Sequence, residues 1–263
     1  SGHLLFSAAD FIFLMIHGDE IRGWGGLPFY GLSKFDGRAI RLHQTLYDYL
    51  LMGHHHQAAT IPNGSGETIV SGEKKVITEG LAQRARINCT VIHEGGASTG
   101  HKVSIYSKPD WSKGYDVVFH NECFADVKEP EFLQGIVAEH AKGVPAVLMH
   151  CAMHCYRAGN DEWFKFCGIT SPGHGAHYAY TCKLKGKHPI LAGLPLEWEV
   201  PKEELYYSDK VWSTATPLGE AMSTDRNAMQ TCIWTNQFGK TRVFGTTIGH
   251  YAETVATPEF LGL

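Results

Sequence analysis

The chain has 263 residues, 43% hydrophobic and 19% charged, enough to bury the core of one large domain, and a single domain over 1–263 is expected. Lys and Arg number 23 against 27 Asp and Glu, a net charge of -4; no basic field exists to gather the phosphates of a nucleic acid or an anionic membrane. The seven cysteines are odd in number and contain no C-x-x-C pair, which excludes a complete disulfide framework and points to reduced thiols and a cytoplasmic setting.

In chain order, the apolar stretch from Leu4 to Ile16 is interrupted by Asp10 and preceded by no Lys or Arg. It is too short for a membrane span, lacks the basic region of a signal peptide and reads as a buried strand, clearest from Asp10 to Ile16. Arg38 to Leu51 has the pattern of an amphipathic helix, between loop-like stretches at Gly23 to Gly37 and Gly53 to Gly66. His54-His-His56 reads as a solvated polar run or a trace of cloning rather than a metal-binding loop. Glu73 to Arg86 is helical in pattern and leads into an apolar strand, Cys89 to Ile92.

From about Asp116 onward, apolar runs alternate with helical patterns, the mark of βαβ units. Tyr115 to Phe119 reads as a strand and Pro130 as a first helical turn. Phe132, Leu133, Ile136 and Val137 share a helix face, Gly143 ends that helix, and Val144 to Met149 is the next strand. Trp163 to Phe166 reads as a short helix, and Thr231 to Thr235 and Thr241 to Ile248 as strands. The segments around Pro172-Gly-His-Gly, His188-Pro and Gly193-Leu-Pro195 read as loops.

Five apolar runs end at a histidine: His17, His93, His120, His150 and His250. In open α/β sheets, residues at the carboxyl ends of strands converge on one crevice. One such histidine is ordinarily structural, but five among sixteen argue for a working site. His120-Asn-Glu122 places imidazole, amide and carboxylate at one strand end, and His150-Cys-Ala-Met-His154 follows the next. His174-Gly-Ala-His177-Tyr178 is expected in a loop closing over the crevice.

Six segments together resemble the trehalose-utilisation (ThuA-like) family, a branch of the class I glutamine amidotransferase-like fold. They are Tyr115 to Phe124 (YDVVFHNECF), Gly143 to His154 (GVPAVLMHCAMH), Trp163 to Gly168 (WFKFCG), Gly173 to His177 (GHGAH), Lys187 to Leu194 (KHPILAGL) and Gly239 to His250 (GKTRVFGTTIGH). The resemblance spans 74–260, while 1–70 match the family poorly beyond Ile16-His-Gly-Asp19. It implies an α/β, flavodoxin-like three-layer fold with a mainly parallel central sheet. It also implies a role in carbohydrate metabolism on oxidised sugars or disaccharides.

The preferred reading is an enzyme acting on a sugar or keto sugar by acid–base chemistry, with His120, Glu122, His150 and His250 as catalytic candidates. A divalent metal, zinc or manganese, is compatible with it, with His120, His150, His154 and His250 as candidate ligands. Asn121, Cys151, His154, His174, His177, Tyr178 and Glu253 are the candidate substrate contacts. The expected partner is a small carbohydrate; a homo-oligomer fits the same reading. One alternative is a thiol hydrolase in which Cys151, His250 and Glu253 form an amidotransferase-like triad, although Met149 and Met153 crowd the elbow that such a nucleophile needs. Another is a non-catalytic carbohydrate binder that uses Trp111, Trp163, Trp198, Trp212 or Trp234 to stack on sugars, although tryptophans are more often core.

Overall fold

The computed structural model describes five strands in the first 70 residues, residues 90–92, 94–95 and 98–255, and residues 257–263. His17, His93, the His54 to His56 run and the helix expected over 73–86 lie outside the described residues. The chain forms two compact units, 1–97 and 98–263.

In the first unit, β1 (His3–Ala8) and β2 (Phe11–Ile16) pair antiparallel, so the apolar stretch expected as one strand is a pair of strands. β3 (Tyr49–Met52) lies parallel to β2. β4 (Ala59–Asn63) pairs antiparallel with β5 (Gly66–Val70), and β5 runs parallel to β3. Tyr49 to Leu51 was expected to close a helix. A run of four apolar residues fits either period, and here pairing on both edges decides for strand. Thr90 to Ile92, expected as a strand, has no regular structure.

The second unit opens with β6 (Val118–His120), α1 (Pro130–Ala141) and β7 (Ala146–Met149). Pro130 occupies the first turn of α1, Leu133, Ile136 and Val137 are buried, and Gly143 has φ 119°, as the spacing predicts. Next come α2 (Glu162–Cys167), β8 (Ile169–Thr170), β9 (His174–Leu184), β10 (Glu197–Tyr206) and β11 (Lys210–Val211). β12 (Ala215–Ser223), β13 (Ala228–Phe238), β14 (Thr241–Thr246), α3 (Ala252–Val255) and α4 (Pro258–Gly262) complete it.

This is an α/β unit with few helices, built on a seven-stranded mixed sheet of order β10-β9-β12-β13-β14-β7-β6. Only β6, β7 and β14 are parallel neighbours; the other pairings are antiparallel. The expected mainly parallel sheet therefore holds at one end alone. The physical reason is the 72 residues between Gly168 and Thr241, which contain β-branched and aromatic alternation but no helical crossover. Parallel neighbours require such a crossover, whereas hairpins suffice for antiparallel ones. Gly239, at φ 56°, and Lys240 close the β13–β14 hairpin in two residues.

Leu133 and Ile136 of α1, Trp163 and Phe166 of α2 and Trp234 of β13 belong to one buried cluster. Trp111, Trp163, Trp198 and Trp234 are buried, which fits the core reading of the tryptophans. α2 is tied to the sheet by polar contacts at its carboxyl end: the Trp234 indole donates to the Cys167 carbonyl at 2.7 Å, and Asn236 Nδ2 donates to the carbonyls of Lys165 and Phe166 at 2.9 and 2.8 Å. Gly245 sits opposite Trp234 across β13 and β14, and a Cβ there would fall 2.2 Å from the indole ring. Gly245→Ala is therefore expected to destabilise the fold by about 1–3 kcal/mol, read as a lower Tm with an unchanged far-ultraviolet spectrum.

Candidate functional site

β7 and β14 run parallel with Met149 beside Thr246, so the segments leaving their carboxyl ends emerge side by side. His150 follows Met149 directly and His250 follows Thr246 by four residues. This brings His150 Nε2 to 3.1 Å from His250 Nδ1. Gly249 has φ 142°, and a Cβ there would press on Met149, so glycine is needed for backbone shape as well as for space. The Gly249 and His250 amides both donate to the Glu203 carboxylate, His250 at 2.5 Å.

Glu203 belongs to β10 at the far edge of the sheet, so the sheet curls until that edge meets the end of β14. Antiparallel pairing of β9 with β10 sets Glu204 opposite His177 and Tyr206 opposite His174. Breaks in register between Val200 and Glu203, and again between Glu204 and Tyr206, interrupt strict alternation. Glu203, Glu204, Leu205 and Tyr206 are consequently all buried. Bulges of this kind re-aim side chains near sites. The His174 to Tyr178 segment, expected as a covering loop, is the start of an eleven-residue strand.

Four imidazoles meet one carboxylate. Glu204 Oε2 lies 3.1 Å from His150 Nε2 and 3.3 Å from His174 Nε2. Its Oε1 lies 3.0 Å from His177 Nε2 and 3.5 Å from His250 Nδ1. His150 Nδ1 faces the Thr247 carbonyl at 2.8 Å and His174 Nδ1 faces the Gly175 carbonyl at 2.9 Å. A carbonyl oxygen only accepts, so the proton of each neutral ring is on Nδ1 and its Nε2 lone pair points at Glu204. Two acceptors cannot face each other at hydrogen-bond distance without a cation between them, either a proton or a metal ion. His177 has the same orientation, with Nδ1 2.6 Å from the Tyr251 hydroxyl.

Burial would raise the Glu204 pKa, but its hydrogen bond to His150 and the charges of His150, His250 and His174 outweigh that and hold it at about 2. Burial dominates at Glu203, raising it to about 7 against the pull of His150 and the two backbone amides. Tyr206, raised first by burial, donates to Glu204 Oε2 at 3.3 Å and lies 3.4 Å from His154 Nε2. His154 in turn meets Arg157 through Nδ1; burial first, with the nearby Arg157 charge contributing, lowers it to about 4.

The family model for ThuA, trehalose utilisation, matches residues 75–263, well over half of the chain. The chain belongs to the trehalose-utilisation (ThuA) family. The solved structures similar to it include the following two. One is a protein of Parabacteroides merdae ATCC 43184 described as ThuA-like, 18% identical, with a TM-score of 0.55 over 72% of this chain and 80% of that one. The other, from Bacteroides uniformis ATCC 8492 and also described as ThuA-like, is 13% identical, with a TM-score of 0.53 over 72% and 78%. At such identities the likeness concerns the fold alone. Among curated proteins, none matches the chain.

On this ThuA framework His150, His174, His177 and His250 come together, while His120 and Glu122 do not join them. Glu203, Glu204 and Tyr206 were missed. Their signal was a Glu-Glu pair followed by Leu-Tyr in a segment not read as a strand. Glu253 is exposed, and the carboxylates beside His250 are Glu203 and Glu204. Cys151 is buried, its thiol 3.7 Å from the Glu122 carbonyl. The left-handed residue after β7 is His150, at φ 53°, so an imidazole holds the elbow position considered for the thiol. Asn121 is half-buried beside His120. Tyr178, one residue past His177, accepts from the Thr224 amide.

His120 lies in a second, closed network. His140 Nδ1 donates to the Val144 carbonyl at 2.9 Å, which leaves its Nε2 to accept from His120 Nε2, also at 2.9 Å. His120 Nδ1 then faces Glu122 Oε1 at 2.8 Å, where the Tyr106 and Tyr156 hydroxyls also donate. Both nitrogens of His120 are thus donors and the pair is internal: His120 and His140 are each 0% exposed. Burial, reinforced by the His120 charge, lowers His140 from 6.5 to about 3. For Glu122 burial opposes ionisation, but the charge and hydrogen bond of His120 prevail and lower it from 4.5 to about 2.

Both shifts act in one direction. The unfolded chain takes up these protons at a higher pH than the folded protein does, so acid favours unfolding. Tm is expected to fall as pH drops from about 6.5 towards 3, with the second loss, from Glu122, beginning near 4.5. In His140→Leu the slope above pH 4.5 should be shallower; an unchanged slope in calorimetry would count against this account.

Proposed function

We propose that the protein is a carbohydrate-processing enzyme that works on a keto sugar or disaccharide-like substrate at the Glu204 centre, with a divalent ion held by His150, His250 and Glu204. The observation that carries this reading is the pair of Nε2 lone pairs, from His150 and His174, aimed at one buried carboxylate. A ring N–H given to a backbone carbonyl orients metal-ligating histidines generally. The donor set of imidazoles and one carboxylate suits zinc better than manganese, which favours oxygen. When bound, the ion polarises a carbonyl or hydroxyl oxygen of the sugar.

The protein's own groups supply the rest. His150 and Glu204 are buried and fix the inner wall, whereas the side chains of His177 and His250 are 34% and 33% exposed and form the mouth. Tyr251 is half-buried there. Taking the His177 Nδ1 proton as acceptor, its hydroxyl keeps its own proton for a substrate oxygen, an acid positioned from behind by an imidazole. Tyr206, bonded to Glu204 and His154, holds that carboxylate in place.

His250→Ala is expected to lower zinc content and to reduce turnover of native or 3-keto disaccharides roughly 100-fold or more, with Tm almost unchanged. Wild-type turnover and zinc content in this variant would overturn the assignment. Cys151→Ser is expected to keep most of its turnover, and complete loss in a folded variant would restore the thiol mechanism.

A further inference from the structure

The ligand atoms around Glu204 form two triads rather than one set. His150, His250 and Glu204 make the first, and His174, His177 and Glu204 the second, with the atoms of each within 4.8 Å of one another. Zinc–ligand bonds of about 2.0–2.2 Å place any two ligands of one ion no more than about 4.4 Å apart, so five scattered donors do not fit a single ion. The carboxylate is shared, and each oxygen of Glu204 faces one imidazole from either triad.

We propose that His174 and His177 bind a second divalent cation, bridged through Glu204 to the ion held by His150 and His250, so that the centre is dinuclear. The inference rests on the metal reading above and extends it to a pair of residues on a different strand. The second triad is as well prepared as the first. His174 gives its Nδ1 proton to the carbonyl of its neighbour Gly175, which turns its Nε2 to the carboxylate. His177, three residues on, is held by Tyr251 so that its Nε2 faces the other oxygen. β9 brings both to one side of Glu204, and β10 supplies the bridge. A carboxylate with two oxygens can serve two ions while its buried charge is neutralised, and paired ions of this kind clamp adjacent oxygens of one substrate. The vicinal oxygens of a sugar ring are such a pair. The second ion sits on the exposed side, since His177 is exposed and His174 half-buried.

The test is a count of ions on the 263-residue chain. Chelator-treated protein is titrated with cobalt(II) and followed by calorimetry and by visible absorption, neither of which depends on turnover. The wild type is expected to take two equivalents. The His174→Gln/His177→Gln double variant, shown folded by circular dichroism, should take one, with absorption matching one of the two components of the wild-type titration. A wild-type count of one overturns the second site and leaves the single-ion reading intact. A count of zero overturns that reading as well, leaving imidazolium protons as the cations around Glu204. Two equivalents surviving in the double variant would place the second ion elsewhere and overturn the proposal.

Discussion

A carboxylate removed from water must be met by positive charge or hydrogen-bond donors, because leaving it unpaired costs several kcal/mol even after relaxation. Glu204 is buried and four imidazoles answer it, contributed by the ends of β7 and β14 and by β9. Much of the second unit's geometry serves that meeting. The parallel β7–β14 pair supplies two histidines from one end of the sheet. The antiparallel hairpins carry β9 and β10 around to the same place, and register breaks in β10 turn consecutive glutamates inward. The neighbouring Glu203 ties the loop after β14 to the edge strand through backbone amides. The same contact that closes the sheet thus sets the position of His250.

The protein contains a useful internal contrast. His120 and Glu122 have the chemistry of an acid–base pair, yet both nitrogens of His120 and Oε1 of Glu122 already meet protein partners, and the His120 ring packs on Trp163 and Phe166. The His150 group repeats the residue types in an arrangement whose outer members reach solvent. Residue type and position at a strand end are shared by the two groups. Access, and lone pairs aimed at an acceptor, separate them.

The sequence allowed part of this to be read. Pro130, the Leu133–Ile136–Val137 face and Gly143 announced α1, and the apolar runs before His120, His150 and His250 announced β6, β7 and β14, because local periodicity and turn chemistry decided those elements. The convergence of His150 and His250 followed from parallel strands sharing an end. The carboxylate was not legible. Glu203 and Glu204 look solvent-facing in one dimension, and only a register break lets both turn inward. The Gly-rich start of β9 read as a loop for the same reason: its pairing with β10 is set 27 residues later in the chain, where Glu204 meets His177. That His120 lies apart from the other two could not be read, because a strand-end histidine looks alike whether its neighbours are water or a helix face.

The backbone at His150 carries an implication for how this protein can change. A side chain at φ 53° is held in a region that suits glycine and costs other residues about 1–3 kcal/mol. Glycine there would relieve the backbone, but it would also open a cavity and withdraw one of the imidazoles that answer the buried Glu204. Backbone and side chain therefore make opposite demands on one residue. The strain at residue 150 is retained because its imidazole also holds a buried charge in place, so a change there disturbs the fold and the site together.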